Sequence, residues 1–313
     1  MENVSLIFRS LVIDQRSPLE PWKQSYVSLI KDVQVIRQKL LANPALSIKD
    51  PQLYAGLGIT DYNNLLFRLI YEASNGVSGK GRATLPKVVF NKLYNDTAFE
   101  AILKDTFINP DKNASYNAFR TWWTNFCKAN GSMDFKMLVN RAVAAIHPEI
   151  ATVTVDEGKF NEVVAELNQT CDFSFPNGSW LAKNIILTQW LDDKIKAELD
   201  EMDKLYNDPV IRLFYRNVFT WALFENGTTD LFELHKQIIK YGPPGTGKTY
   251  TCQRNAFYHF ENWTSKYCPS FKGNFENHVE RIQFHPSFTY EDFIEGLRPV
   301  PDALGKTVLK LVP

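Results

Sequence analysis

The sequence predicts a mainly α-helical N-terminal region followed by a partial α/β core organised around a glycine-rich loop. Two observations carry this. Apolar residues recur at helical spacing along residues 1 to about 235, and the chain then changes character at "KQIIKYGPPGTGKTY", where a short apolar run meets a glycine- and proline-rich turn. The turn string "NGTTD" marks the border, so three regions are expected: a helical domain over 1–130, a helical domain or connector over 131–229, and the partial α/β region with the glycine-rich loop over 230–313.

The helices follow in order. "PWKQSYVSLIKDVQVIRQKLLA" spaces Trp22, Val27, Ile30, Val33, Ile36 and Leu40 along one stripe. "TDYNNLLFRLIYEAS" repeats the pattern, with Thr60 or Asp61 placed to cap it. "AFEAILKDTF" and "SYNAFRTWWTNFCKA" read as further helices. "DFKMLVNRAVAAI" is stopped by His147-Pro148, because proline pushes the residue before it out of the α region. "GKFNEVVAEL", a long acidic helix over 181–206 and "DPVIRLFYRNVFTWALFE" complete the series.

Composition narrows the class. The 313 residues are 44 % apolar and 22 % charged with zero net charge, so no global field argues for nucleic acid or a membrane. Residues 1–130 carry 16 basic and 11 acidic side chains, a modest local excess. Cys127, Cys171, Cys252 and Cys268 are far apart, which suits reduced thiols rather than a zinc or disulfide framework. The N-terminus has no signal-peptide pattern and no window has the length of an apolar span, so a cytoplasmic protein with no membrane partner is expected.

Within the helical region, "SNGVSGKGRATLPK" (Ser74 to Lys87) combines three glycines with Lys80, Arg82 and Lys87. Two readings stand: a solvated connection, or a basic loop that touches a DNA phosphate backbone. Trp122-Trp123 point different ways on one helix, so at least one belongs to the core. "TVTVDEGK" ends in Asp156-Glu157, a pair expected to sit in a turn at a helix N-terminus, where the dipole favours carboxylates.

"YGPPGTGKTY" satisfies G-x-x-x-x-G-K-[ST] through Gly242, Gly247, Lys248 and Thr249. Gly242, Pro243, Pro244, Gly245, Thr246 and Gly247 form a loop whose backbone N–H groups can turn onto phosphate oxygens. Lys248 reaches the β- and γ-phosphates, Thr249 offers its hydroxyl to Mg²⁺, and Tyr250 closes the string. "KQIIKY" before it reads as a buried strand and "TYTCQRNAFYHF" after it as a helix. ATP or GTP with Mg²⁺ is the expected ligand.

A second string, "IQFHPSFTYEDFIEGLRP", supplies Phe284, His285, Pro286, Ser287, Tyr290, Glu291, Asp292, Phe293, Ile294 and Gly296, then Arg298-Pro299. Together with the glycine-rich loop it resembles the AAA+ core of the McrB-type family, the nucleotide-driven subunit of 5-methylcytosine-specific restriction systems. The resemblance covers about 236–313. It implies an AAA+ NTPase core, a homo-oligomeric ring, a McrC-like nuclease subunit as partner, and DNA, methylated in some systems, read by the N-terminal region. It also implies an acidic pair, a sensor residue and subunit-bridging arginines later than "GKTVLKLVP". The chain as read is therefore expected to bind nucleotide without completing a hydrolytic site. An AAA+ remodelling ATPase of the dynein-related or MoxR type acting on protein, and a helical binding module with a degenerate nucleotide fold, are the alternative readings.

Overall fold

The computed structural model describes residues 4–171, 173–175, 177–226, scattered residues between 252 and 279, and the backbone of 296–301 and 307–312. It divides into two units, Met1–Pro269 and Ser270–Pro313.

In the first unit, helix α1 (Val4–Phe8) runs on as a wider π-helical turn (Arg9–Ile13), and α2 (Arg16–Ala42) follows. Helix α3 (Tyr62–Leu66) also runs into a π-helical turn, Phe67–Tyr71. Then come α4 (Lys87–Asn95), α5 (Thr97–Ile108), α6 (Lys112–Ala129), α7 (Lys136–Ile146), α8 (Glu157–Thr170), α9 (Trp180–Lys194), α10 (Lys196–Tyr206) and α11 (Pro209–Asn226). Short polar side chains set the starts. Asp61, Asp96, Asp111, Asp156 and Ser179 each accept a backbone N–H three residues on, which satisfies a donor that the helix itself leaves unpaired.

Most of the predicted stripe on α2 is buried: Ile30, Val33, Ile36 and Leu40 are sealed from solvent beside Tyr26 and Leu29, while Trp22 and Val27 are half-buried. Helix α11 packs against α2, α8, α9 and α10. Its Phe219 meets Phe8 edge-on with ring centres 5.3 Å apart, and its Phe214 meets Tyr26 at the same distance. Trp123 is fully buried, while Trp122 stacks between Phe99 (4.9 Å) and Phe126 (4.8 Å). One buried cluster runs from Val4 to Leu223. The long acidic helix expected over 181–206 is two helices, broken at Ile195, which is buried.

Between α7 and α8 the chain threads through the core in non-helical form. Ala151, Thr152, Val153, Thr154 and Val155 are all buried. A buried non-helical segment must find partners for its backbone and hydroxyl groups, and these come from helices far away in sequence. Asn184 accepts from both the Thr152 N–H (2.9 Å) and its hydroxyl (2.8 Å). The Thr154 hydroxyl donates to that of Thr220 (2.8 Å), and Trp180 Nε1 donates to the Thr154 carbonyl (3.1 Å). Asn140, itself held by the Tyr116 hydroxyl (2.7 Å), donates to the Val155 carbonyl (2.9 Å). Arg216 fixes the start of the segment by donating to the carbonyls of Pro148 (2.8 Å) and Glu149 (2.9 Å) and to Asp192 (2.6 Å).

The second unit corrects the expected fold class. Among the described residues the sheet is a two-stranded antiparallel hairpin, β1 (Gly296–Pro301) paired with β2 (Thr307–Val312) from Gly296↔Val312 to Pro301↔Thr307. A P-loop core requires parallel strands, and a parallel pair needs a crossover of about a dozen residues or more. The short link over 302–306 permits only an antiparallel return. The described chain is thus α-helical with one hairpin, and the partial α/β P-loop (AAA+) core is not what it shows. Gly296 and Arg298-Pro299, the tail of the second string, lie in β1. The expected strands at 236–241 and 281–284 lie outside the described residues. Helical backbone is present at 252–253, 256–257, 259–261 and 263–264, as expected after the glycine-rich loop.

Candidate functional site

Gly242 to Tyr250, with Lys248 and the Thr249 hydroxyl expected to meet Mg²⁺, lie outside the described residues, as do Phe284, His285, Pro286, Ser287, Tyr290, Glu291, Asp292 and Phe293. Among the described residues no group of three or more His, Cys, Asp or Glu side chains is arranged to hold a metal ion. No helix there is long and apolar enough to cross a membrane.

The basic loop is described, and its geometry separates its three cations. Asn75 organises the turn: its side-chain oxygen accepts the N–H groups of Val77 (3.0 Å) and Ser78 (3.2 Å). Gly76 has φ +90°, and a Cβ there would meet the Ser25 backbone at 2.6 Å, so only glycine lets the loop rest on α2. Trp22 Nε1 donates to the Gly76 carbonyl (2.5 Å) and clamps the same contact from the helix side. Val77 is consequently buried. Lys80 turns inward, donating its ammonium to the Tyr71 carbonyl and lying 4.5 Å from the centre of the Tyr71 ring. Burial, and then the neighbouring Arg141 charge, lower its pKa. Arg82 is exposed, and Lys87, also exposed, opens α4.

Lys80 and Arg82 come together on a cavity of about 840 Å³ inside the first unit, whereas Lys87 is not among the residues that line it. The walls draw on the start of α2 (Trp22), the loop, the start of α7 (Phe135 and Met137), the end of the threaded segment and α11 (Trp221). Asp156 and Lys159 complete the rim, with Asp156 capping α8 through the Lys159 N–H (3.1 Å). The carboxylate pair at 156–157 therefore sits at a helix N-terminus, as the sequence suggests. The Lys159 ammonium lies 4.5 Å from the Trp221 ring centre and 4.3 Å from that of Phe224. Sequence reasoning finds Lys80 and Arg82 but misses Trp22, Lys159 and Trp221 as site residues, since each reads as part of an ordinary helix.

No family model matches the chain, and no solved structure matches it. Over 66 residues it is 41 % identical to the Type IV methyl-directed restriction enzyme EcoKMcrB subunit of Escherichia coli (strain K12). That stretch is 21 % of this chain and 12 % of the relative, so the chain spans a small part of that protein's length.

Proposed function

We propose that this chain is a nucleotide-binding subunit of a modification-dependent restriction system. The observations that carry the reading are the complete string Gly242–Thr249 and, in the same chain, a 41 % identical match over 66 residues to a methyl-directed restriction subunit. In this reading ATP or GTP is held with Mg²⁺, Lys248 pairs with the β- and γ-phosphates, and Thr249 supplies a hydroxyl to the ion. The working assembly is a homo-oligomeric ring with a McrC-like nuclease subunit, and DNA is its target. The helical unit is the recognition end. The exposed position of Lys87, away from the cavity, supports a phosphate contact there, while Lys80 serves the loop's own architecture and Arg82 lines the cavity.

The test is equilibrium binding of a labelled nucleotide to the full chain and to Lys248→Ala. Loss of a charge-assisted contact should weaken binding roughly 10- to 100-fold, with the thermal transition of the helical unit unchanged. Equal affinity in the two proteins would remove the assignment.

A further inference from the structure

The 840 Å³ cavity has a size common for small-molecule sites, which run from about 300 to 1,000 Å³. Its lining combines three features that rarely meet by accident. The first is aromatic area held in place before any ligand arrives. Trp22 is fixed by its bond to the Gly76 carbonyl and by edge-on contact with Phe214 (5.9 Å), and Trp221 packs on Phe224 (5.5 Å). Fixed rings lose little freedom on binding, which favours stacking of a planar group. The second is charge. Lys80, Arg82 and Lys159 face one carboxylate, Asp156, which already accepts a helix N–H. This balance selects an anion and disfavours a cationic guest, although tryptophans alone would suit one. The third is placement. The cations belong to the cavity's own lining and are not spread over a face, as a surface neutralising many duplex phosphates would require.

We propose that this cavity binds a small planar anion of nucleotide size, a nucleobase carrying a phosphate, at a site distinct from the glycine-rich loop. The base stacks against the indoles of Trp22 and Trp221. The phosphate pairs with Arg82, whose forked guanidinium suits it, and with Lys159. Lys80, anchored to the Tyr71 carbonyl, adds a fixed positive charge. Trp221 lies on α11, whose last residue, Asn226, leads through residues 227–241 to Gly242. An occupant would therefore touch the helix that precedes the phosphate-loop string in the sequence, with residues 227–241 between them.

The experiment uses the full chain carrying Lys248→Ala, which weakens phosphate-loop binding, and the Arg82 and Lys159 variants read the cavity separately. If that substitution proves to have no effect on nucleotide binding, the proposed function fails while the cavity test stands. Adenosine and guanosine monophosphates are titrated by calorimetry and by quenching of tryptophan fluorescence, beside the phosphate-free nucleosides and inorganic phosphate. One saturable site for a mononucleotide is expected, with nucleoside and phosphate each binding at least roughly tenfold more weakly. Arg82→Ala combined with Lys159→Met, which keeps the apolar stem over Trp221, should weaken binding roughly 10- to 100-fold. Lys87→Ala should not change it. Absence of saturable binding, equal binding of the nucleoside, or an unchanged double variant of unaltered thermal stability would each overturn the proposal. Displacement of the mononucleotide by a short DNA duplex would overturn it too, by assigning the cavity to nucleic acid.

Discussion

Replacing Gly76 with alanine tests how the basic loop is seated. A side chain at φ +90° is strained by about 1–2 kcal/mol wherever it sits. At Gly76 the new Cβ would also lie 2.6 Å from the Ser25 carbon and oxygen and 2.7 Å from the Tyr26 nitrogen. These are backbone atoms of α2, so no rotamer change relieves the contact and the loop must lift. Lifting it weakens the Trp22–Gly76 hydrogen bond, about 1 kcal/mol, and uncovers part of Val77, whose full burial contributes about 1.5–3 kcal/mol. Because lifting is partial, the combined loss should be about 2–4 kcal/mol. Two neighbouring glycines serve as controls. Gly81 shares the left-handed conformation (φ +52°) but a Cβ there meets nothing within 4 Å, so Gly81→Ala should cost only the strain, about 1 kcal/mol. Gly79 has no left-handed φ and only an ordinary contact at 3.9 Å, so Gly79→Ala should be neutral or stabilise by up to about 1 kcal/mol. Urea unfolding followed by circular dichroism measures all three. If Gly76→Ala and Gly81→Ala shift the midpoint equally, the loop is not resting on α2 and the clamp described above is wrong.

Arg216→Met should destabilise the protein by about 1–3 kcal/mol, because it removes the donor to the Glu149 carbonyl, while Asn217 still donates to the Pro148 carbonyl and the half-exposed Asp192 meets water; no effect in urea unfolding would show that water replaces the guanidinium. Stability should also fall in acid. Burial lowers the pKa of His147, so its neutral form contributes stability that is present above about pH 6.5, the unfolded value, and declines as pH drops through the lowered one. For Glu149, burial is outweighed by His147 and Arg37, which hold it at about 2; its contribution is present above about pH 4.3, the unfolded value, and is lost as pH falls toward 2. Unfolding midpoints of parent and His147→Gln should therefore converge as pH falls from 7 to 5, and parallel curves would refute the assignment. The buried Cys127 thiol, pushed up to about 11 by burial, should resist a thiol reagent that labels the exposed Cys252 at once; equal labelling rates would contradict the packing of α6.

What could be read in advance follows from where the determining forces lie. The stripe of α2 and the stop at His147-Pro148 are local signals, and both appear at their expected places. The break at Ile195 has no local cause. Neither glycine nor proline is near it, and it is set by packing that buries Ile195 and Leu199 together. Helix α4 follows directly on Pro86, and its short Val89, Phe90, Leu93 face is obscured by reading the preceding stretch as a basic loop. "TVTVDEGK" reads as a turn leading into a helix, and only the fold reveals that its threonines are buried against Asn184 and Thr220. The hairpin defeats the α/β expectation for a related reason: strand propensity is visible in "TVLKLV", but pairing direction depends on the length of the link. The cavity is invisible in the sequence since its walls come from positions as remote as Trp22 and Trp221.

The threaded segment between α7 and α8 has a consequence for how this sequence can diverge. Thr152, Thr154 and the Val155 carbonyl are each matched to one side chain on another helix, Asn184, Thr220 and Asn140 respectively. An apolar replacement at any of these helix positions is welcome by hydropathy yet leaves a sealed donor or acceptor without a partner. Single changes are therefore blocked where paired changes are open. Homologous chains should show correlated replacements at 152 and 184 and at 154 and 220. Position 140, whose partner is a main-chain carbonyl that no mutation can alter, should stay a donor.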